Sequence, residues 1–158
     1  MSELNTAIEQ PQTTVAKLPL LAAVVALIGL ADSIYLTIKH FTGEVVPCSI
    51  VEGCEQVLTS SYAEIFGIPL AMFGAAAYFV AFSLAILAAY DNGSMWRIFG
   101  VQTFLMLLFS VWLIYLQAYV IGAFCQFCLV SAATTLTLFI IYMVSEFFRR
   151  RELSTVSK

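Results

Sequence analysis

Residues Ile98 to Ser145 read IFGVQTFLMLLFSVWLIYLQAYVIGAFCQFCLVSAATTLTLFIIYMVS, 48 residues without a charged side chain. About 20 apolar residues cross a bilayer as a helix, so this run is too long for one span and must hold two. Its polar break falls near Gln117 to Ala123, where Tyr115, Gln117, Tyr119 and Gly122 cluster. Tyr suits a membrane interface and Gly a turn. Spans are therefore expected over about 98–117 and 123–147. Two further apolar runs precede them. Ile68 to Tyr90 carries no charge, and Leu18 to Ile38 is interrupted by Asp32 and a few small polar residues, which predicts spans over about 68–90 and 18–38.

The composition agrees. The chain of 158 residues is 61% hydrophobic and 11% charged, with mean hydropathy +0.95, whereas soluble domains carry about 25% charged residues. The polar material is too scarce to cover a water-facing globule. The expected fold is all-α: an integral membrane four-helix bundle with one long external loop, 39–67, carrying a short surface helix. The stretch Ser61-Tyr-Ala-Glu-Ile-Phe66 is read as a short helix or turn lying on the membrane surface. The seven Lys and Arg form no broad basic face, so nothing points to nucleic acid.

The basic residues orient the bundle. Lys17, Arg97, Arg149, Arg150, Arg151 and Lys158 fall at one set of helix ends, and Lys39 alone flanks the other. By the positive-inside rule both termini are expected in the cytoplasm. Residues 1–17 read as a flexible cytoplasmic tail broken at Pro11, without the basic n-region of a signal peptide, and 149–158 as a second cytoplasmic tail. Arg149 to Arg151 serve as a topology anchor. The external loop is acidic at Glu52, Glu55 and Glu64, which the default reading makes a solvated face.

This topology puts all four cysteines on the external side, where disulfides are permitted. Cys48 and Cys54 lie in the long loop; Cys125 and Cys128 open the last span. In Cys125-Gln-Phe-Cys128, residues three apart share a helix face with Cβ atoms about 5–6 Å apart, against about 3.8 Å in an unstrained disulfide. Such a pair closes under strain and exchanges readily. A helix N-terminus also favours a thiolate. With a helix start near Gly122, Cys128 lies about 9 Å along the helix, below the surface and within reach of a lipid-soluble partner. The loop pair, Pro47-Cys48-Ser-Ile-Val-Glu-Gly-Cys54, is spaced to meet a soluble thiol protein and pass electrons on by thiol–disulfide exchange. Two static structural disulfides would also explain the compartment, although a C-x-x-C on a helix staples little. A zinc site is disfavoured: the C-x5-C spacing is wrong and no histidine accompanies it. His40 beside Lys39 reads as an interfacial residue. No metal is expected.

The loop C-x5-C, Cys54-Glu-Gln-Val-Leu-Thr-Ser60, Phe66-Gly-Ile-Pro-Leu-Ala-Met-Phe-Gly74 and the late C-x-x-C together resemble the vitamin K epoxide reductase family. Asp32-Ser-Ile-Tyr-Leu-Thr37 is similar to its bacterial branch. The resemblance spans roughly Leu18 to Phe148. It implies a four-helix bundle around a quinone pocket of ubiquinone, menaquinone or plastoquinone type, near the outer face. It implies Cys125 and Cys128 as the active-site pair, Cys128 facing the quinone, and Cys48 and Cys54 as the shuttle pair. Cys54 would exchange with Cys125, and Cys48 would contact a thioredoxin-fold partner. Ser60 matches a serine near the quinone; its other reading is an ordinary loop residue. Ala132 stands where vertebrate members place a tyrosine. The chain ends at Lys158 without the fused thioredoxin domain of many bacterial relatives, so the thiol partner is expected to be a separate protein.

The implied function is a membrane thiol:quinone oxidoreductase that reoxidises a thioredoxin-fold thiol oxidase and drives disulfide formation in exported proteins. Its expected location is the plasma or inner membrane, with the active cysteines facing the periplasm or exterior. The alternatives are a quinone or quinone-epoxide reductase, and a non-catalytic membrane protein with structural disulfides. The disulfide bond formation protein B type has its C-x-x-C in the first loop; here the order is reversed. Phe124 and Phe127 flank the active cysteines and are read as walls for a ring-shaped ligand or as lipid contacts. Asp32, costly inside a membrane, is read as a proton route or pocket support, as a partner for Lys39, or as a hydrated interfacial residue.

Overall fold

The computed structural model describes the backbone of residues 2–48, 53–90 and 93–156 and the side chains of residues 17–48, 53–90 and 93–151. Glu52 and Lys158, given charge roles above, lie outside these residues. The uncharged runs form four long helices: α1 (Ser2–Thr42), α3 (Leu70–Ala89), α4 (Gly93–Tyr115) and α5 (Gln126–Val156). Between α1 and α3 come the five-residue α2 (Cys54–Leu58) and a two-stranded hairpin, β1 (Glu64–Ile65) and β2 (Ile68–Pro69). The stretches 17–42, 70–89, 93–121 and 126–151 are each long and apolar enough to cross a membrane. The fold is the all-α membrane bundle expected, with its short helix in the long loop.

The bundle packs as a membrane protein must. α1 lies against α3 and α5, and α4 against α3 and α5. Ala22, Ala23 and Ala26 of α1 meet Ala81 and Ala85 of α3 in the core, alongside Phe99, Leu138 and Ile141. Larger apolar side chains such as Leu20, Leu27, Phe79, Val101 and Phe147 face outward. Between helices there is no hydrophobic gain over lipid, so small residues that permit close approach hold the interior. Hydroxyls are satisfied locally: Thr37, Ser83, Thr103 and Thr137 each bond the carbonyl four residues earlier, the available partner where water is excluded.

Several boundaries differ from the sequence reading. The break expected at Pro11 is absent, since α1 runs through it to Ser2. A proline costs one backbone hydrogen bond there, and helix-forming neighbours on both sides carry the helix past it. The stretch Ser61–Phe66 is no helix; it turns and enters β1, and the surface helix is Cys54–Leu58 instead. Phe66 and Gly67 both have positive φ, 55° and 78°, the two-residue hairpin turn that matches strand twist. At the other loop, α4 continues as a π-helical turn over Leu116–Ile121 and stops at Gly122, whose left-handed φ of 71° a glycine adopts freely. α5 therefore begins at Gln126 rather than near Gly122, and Cys128 is its third residue.

The loop is tied to the end of α1 by an ion pair and a histidine–carboxylate contact. Lys39 Nζ pairs with Glu44, and His40 Nε2 lies 3.1 Å from Glu64 Oε1 in β1. The hydrogen bond and charge of Lys39 hold the exposed Glu44 carboxyl below its usual range. Two of the loop's carboxylates thus fasten it to the bundle.

Candidate functional site

The site is built from two pieces of irregular chain meeting at one end of the bundle. Cys48 and Cys54 are joined as a disulfide with Cα atoms 6.2 Å apart, an ordinary span for the bond. Cys54 opens α2 and is buried together with Val57, Ala123 and Cys125, and Cys48, Phe127 and Cys128 pack around this cluster. The loop pair and the helix pair therefore share one small core. Cys125 and Cys128 are thiols.

Gly53 permits this meeting. A Cβ there would lie 2.9 Å from the Phe124 carbonyl oxygen and 3.1 Å from Ala123 Cβ, with backbone on the far side that cannot swing away. Gly53→Val is expected to lift α2 off the Ala123–Phe124 segment. Alkylation of Cys125, fully buried here, should then become about tenfold faster or more, since access limits buried thiols. An unchanged labelling rate would contradict this contact.

Gln117 holds the other side. It is 3% exposed, its Oε1 accepts the Cys125 N–H at 2.9 Å, and its backbone carbonyl accepts the Ala123 N–H. The first N–H groups of a helix have no internal acceptor; Gln117 supplies one at the reactive cysteine. The Cys125 thiol is drawn below its ordinary range, first by a hydrogen bond from the Cys128 thiol, then by the Cys128 and Phe127 N–H groups, against the opposing effect of burial. A lowered value means thiolate at lower pH. The alkylation rate of Cys125 should rise with a midpoint below the ordinary thiol value of about 8.5, read by peptide mass mapping across a pH series.

Cys128 faces the interior. It lies on the wall of an open cavity of about 320 Å³ lined by residues of α1, α3, α4 and α5. On α5 the cavity is lined by Cys128, Ser131, Ala132 and Thr135, spaced three and four residues apart on one helix face. Apolar walls come from Leu36, Leu105, Met106, Phe109 and Leu113, and polar groups from Asp32, Tyr78 and Gln117. A smaller space of about 50 Å³ adjoins it, sharing Cys128 and Gln117 and reaching Ser60 and Tyr62 of the loop. Ser60 Oγ donates to the Val57 carbonyl at 2.7 Å. Phe124 and Phe127 do not line either space. Phe127 instead meets Tyr35 of α1 with ring centroids 5.4 Å apart and planes tilted by 37°, and Phe124 is partly exposed.

Two polar features lay beyond the sequence reading. Tyr78, 1% exposed in the middle of α3, is held by the Ser131 carbonyl at 2.7 Å, Ser131 Oγ at 2.9 Å and Thr135 Oγ1 at 2.8 Å. A tyrosine at mid-span, away from the interface where its hydroxyl would be wet, was the available signal. For Gln117 the signal was its place before a helix start that needed an acceptor. Asp32 does not pair with Lys39, which is taken by Glu44; its Oδ2 is buried without a hydrogen-bond partner.

Apolar walls with a few polar groups, at a volume near the lower end for small-molecule sites, suit a flat lipid-soluble ring such as a quinone head. Asp32 Oδ2, a buried atom lacking a partner, fits a quinone oxygen when the carboxyl is protonated and donates to it. No group of three or more His, Cys, Asp or Glu among the described residues is arranged to hold a metal ion.

Four membrane-spanning helices lining an apolar cavity, with a cysteine on its wall and a loop disulfide packed beside it, define a membrane-embedded thiol protein. Residues 20–143 match the Vitamin K epoxide reductase family, and the chain belongs to that family, as its motifs led us to expect. It is also similar to the thiol-disulfide oxidoreductase LTO1 of Arabidopsis thaliana, 32% identical over 117 residues. That match covers 68% of this chain and 31% of the relative, so the chain spans about a third of that protein's length.

Proposed function

We propose that the protein is a membrane thiol:quinone oxidoreductase that reoxidises a thioredoxin-fold partner and so drives disulfide formation in exported proteins. The observation that carries this reading is the shared core of Cys54 and Cys125, with Cys128 turned to the cavity. Family membership supports the thiol chemistry, as does the likeness to a thiol-disulfide oxidoreductase.

A reduced partner attacks the Cys48–Cys54 disulfide at Cys48 and leaves with its own two cysteines oxidised and the loop pair as thiols. Cys54 then attacks Cys125 of a closed Cys125–Cys128 pair. Cys48 resolves the Cys54–Cys125 mixed disulfide, which leaves the loop closed and the helix pair as thiols. Each exchange moves two electrons and two protons. Quinone, when bound, supplies the acceptor for the two electrons and two protons. Asp32, Leu36, Met106, Phe109, Gln117 and Cys128 would hold it. The low thiol range of Cys125 makes it a good leaving group in the exchange. The positive-inside pattern supports cysteines on the external side and termini in the cytoplasm.

In Cys54→Ser the Cys48 thiol attacks an oxidised partner in the reverse direction of the exchange, and the neighbouring thiol that would displace that partner is gone. Cells carrying it are expected to accumulate a mixed disulfide with a thioredoxin-fold protein, visible on non-reducing gels and lost on adding reductant. Cys128→Ser should instead accumulate an internal Cys54–Cys125 bond, identifiable by peptide mapping. If neither species forms, the relay is wrong.

A further inference from the structure

Asp32 is left over by the relay, and it is an expensive residue to leave over. A carboxyl within a membrane span costs several kcal/mol unless something compensates it. The cation nearest in sequence, Lys39, pairs with Glu44, and the Tyr78 hydroxyl is occupied by Ser131 and Thr135. Asp32 Oδ2 is buried with no hydrogen-bond partner, on the wall of the same cavity as Cys128. The titratable groups on that wall are Asp32 from α1, Tyr78 from α3 and Cys128 from α5; α4 brings none. The charge of Asp32 also reaches Cys125, where it opposes the thiolate. Among the described residues no ion pair holds Asp32, and its Oδ2 makes no hydrogen bond. What remains is a proton-binding group on the wall of the cavity that also holds a thiol that must lose its proton.

We propose that Asp32 accepts the proton of the Cys128 thiol as the Cys125–Cys128 disulfide closes, and gives it up again inside the cavity. The proposal rests on the thiol:quinone reading above. Closing the disulfide removes two electrons and two protons from the two thiols, and a quinone-class oxidant takes up two of each. Asp32 carries the Cys128 proton and returns to its carboxylate. The Cys125 proton passes to water at the outer end, and the oxidant draws its second proton from the same water, so the totals balance. A positioned carboxylate takes a proton within hydrogen-bond reach or through one water. Asp32 Oδ2 has no direct partner, so the Cys128 proton reaches it over one water bridging the cavity they both line.

The test uses quinone-free, dithiol-reduced full-length protein in detergent and an apolar maleimide, with the labelled cysteine identified by peptide mass mapping. If Asp32 takes the proton, Asp32→Asn labels at Cys128 about tenfold more slowly or worse, and Asp32→Glu restores the rate. A merely electrostatic role predicts the opposite sign, since removing a negative charge favours the neighbouring thiolate. Equal or faster labelling of Asp32→Asn therefore overturns the proposal. So does a wild-type pH profile that follows one ordinary thiol titration, a measurement that needs no variant. These outcomes are independent of the function reading. Wild-type protein that reduces no quinone defeats that reading, whereas equal labelling defeats the role of Asp32 alone.

Discussion

Cys125→Ala protein is expected to lose dithiol-driven quinone reduction by about a thousandfold or more, the scale at which removing a covalent-catalysis nucleophile acts. Its quinone content after purification should stay close to wild type. Both halves follow from where the residue sits. Cys125 is fully buried in the cluster with Cys54 and does not line the cavity, so its loss severs the relay without altering the ligand walls. Its N–H to Gln117 is a backbone bond that alanine keeps. Absorbance of the quinone during turnover gives the rate, and extraction followed by chromatography gives the content. Retained activity would show that electrons reach the cavity by another route. Lost quinone with lost activity would show a structural role instead.

The second large effect is on the fold. A Cβ at Gly29 of α1 would lie 2.3 Å from Tyr78 Cε1 and 2.5 Å from Cζ, well inside any tolerated contact. The ring has little room to yield, since its hydroxyl is pinned to Ser131 and Thr135 and its residue is 1% exposed. Gly29→Val is expected to drive Tyr78 from its place. Overpacking costs about 1–3 kcal/mol, and the buried hydroxyl bonds that break add about 1–3 kcal/mol. The sum lowers Tm by roughly 5–15 °C for a chain of this size, measured by thermal unfolding in detergent. Adding Tyr78→Ala removes the obstacle, so the double variant should be less destabilised than the sum of the singles. Strict additivity would mean that the two residues do not oppose each other. The same lining face of α5 depends on this ring, so quinone binding should weaken with it.

The four spans were legible because charge is nearly excluded from them: 68–90 and 98–145 carry none and 18–38 carries Asp32 alone, and no soluble arrangement tolerates that. The cysteine pairs were legible from spacing and order. What escaped the sequence was fixed by angles between helices. Phe127 was a reasonable wall for a ring because it adjoins Cys128, yet one residue turns about 100° around a helix. The cavity takes the face of Cys128, Ser131, Ala132 and Thr135, and Phe127 is turned to Tyr35. Gln117 read as part of an interfacial hairpin, because tyrosines and a glycine surround it. The π-helical turn that brings it under Cys125 leaves no pattern in composition. At Ser61–Phe66 the alternation of polar and apolar residues was visible, and the hairpin uses its period of two. A helix reading lost there to the Phe66-Gly67 turn.

Ala132 illustrates how one position shapes the site. It lies on the cavity wall, where vertebrate members of the family carry a tyrosine. A methyl group there leaves space and offers no hydroxyl, so polar contact from the wall falls to groups such as Asp32, Ser33 and Ser110.

The central claim is that electrons run from the loop disulfide through Cys125 and Cys128 into a quinone held by this cavity. The direct measurement is to purify the protein with its native lipids, identify the copurifying quinone by absorbance and mass, and add a dithiol substrate anaerobically. The account predicts that bound quinone converts to quinol in proportion to the dithiol consumed, and that the conversion disappears in Cys125→Ala. A protein that holds no quinone, or whose quinone stays oxidised while the loop disulfide is reduced, would contradict it.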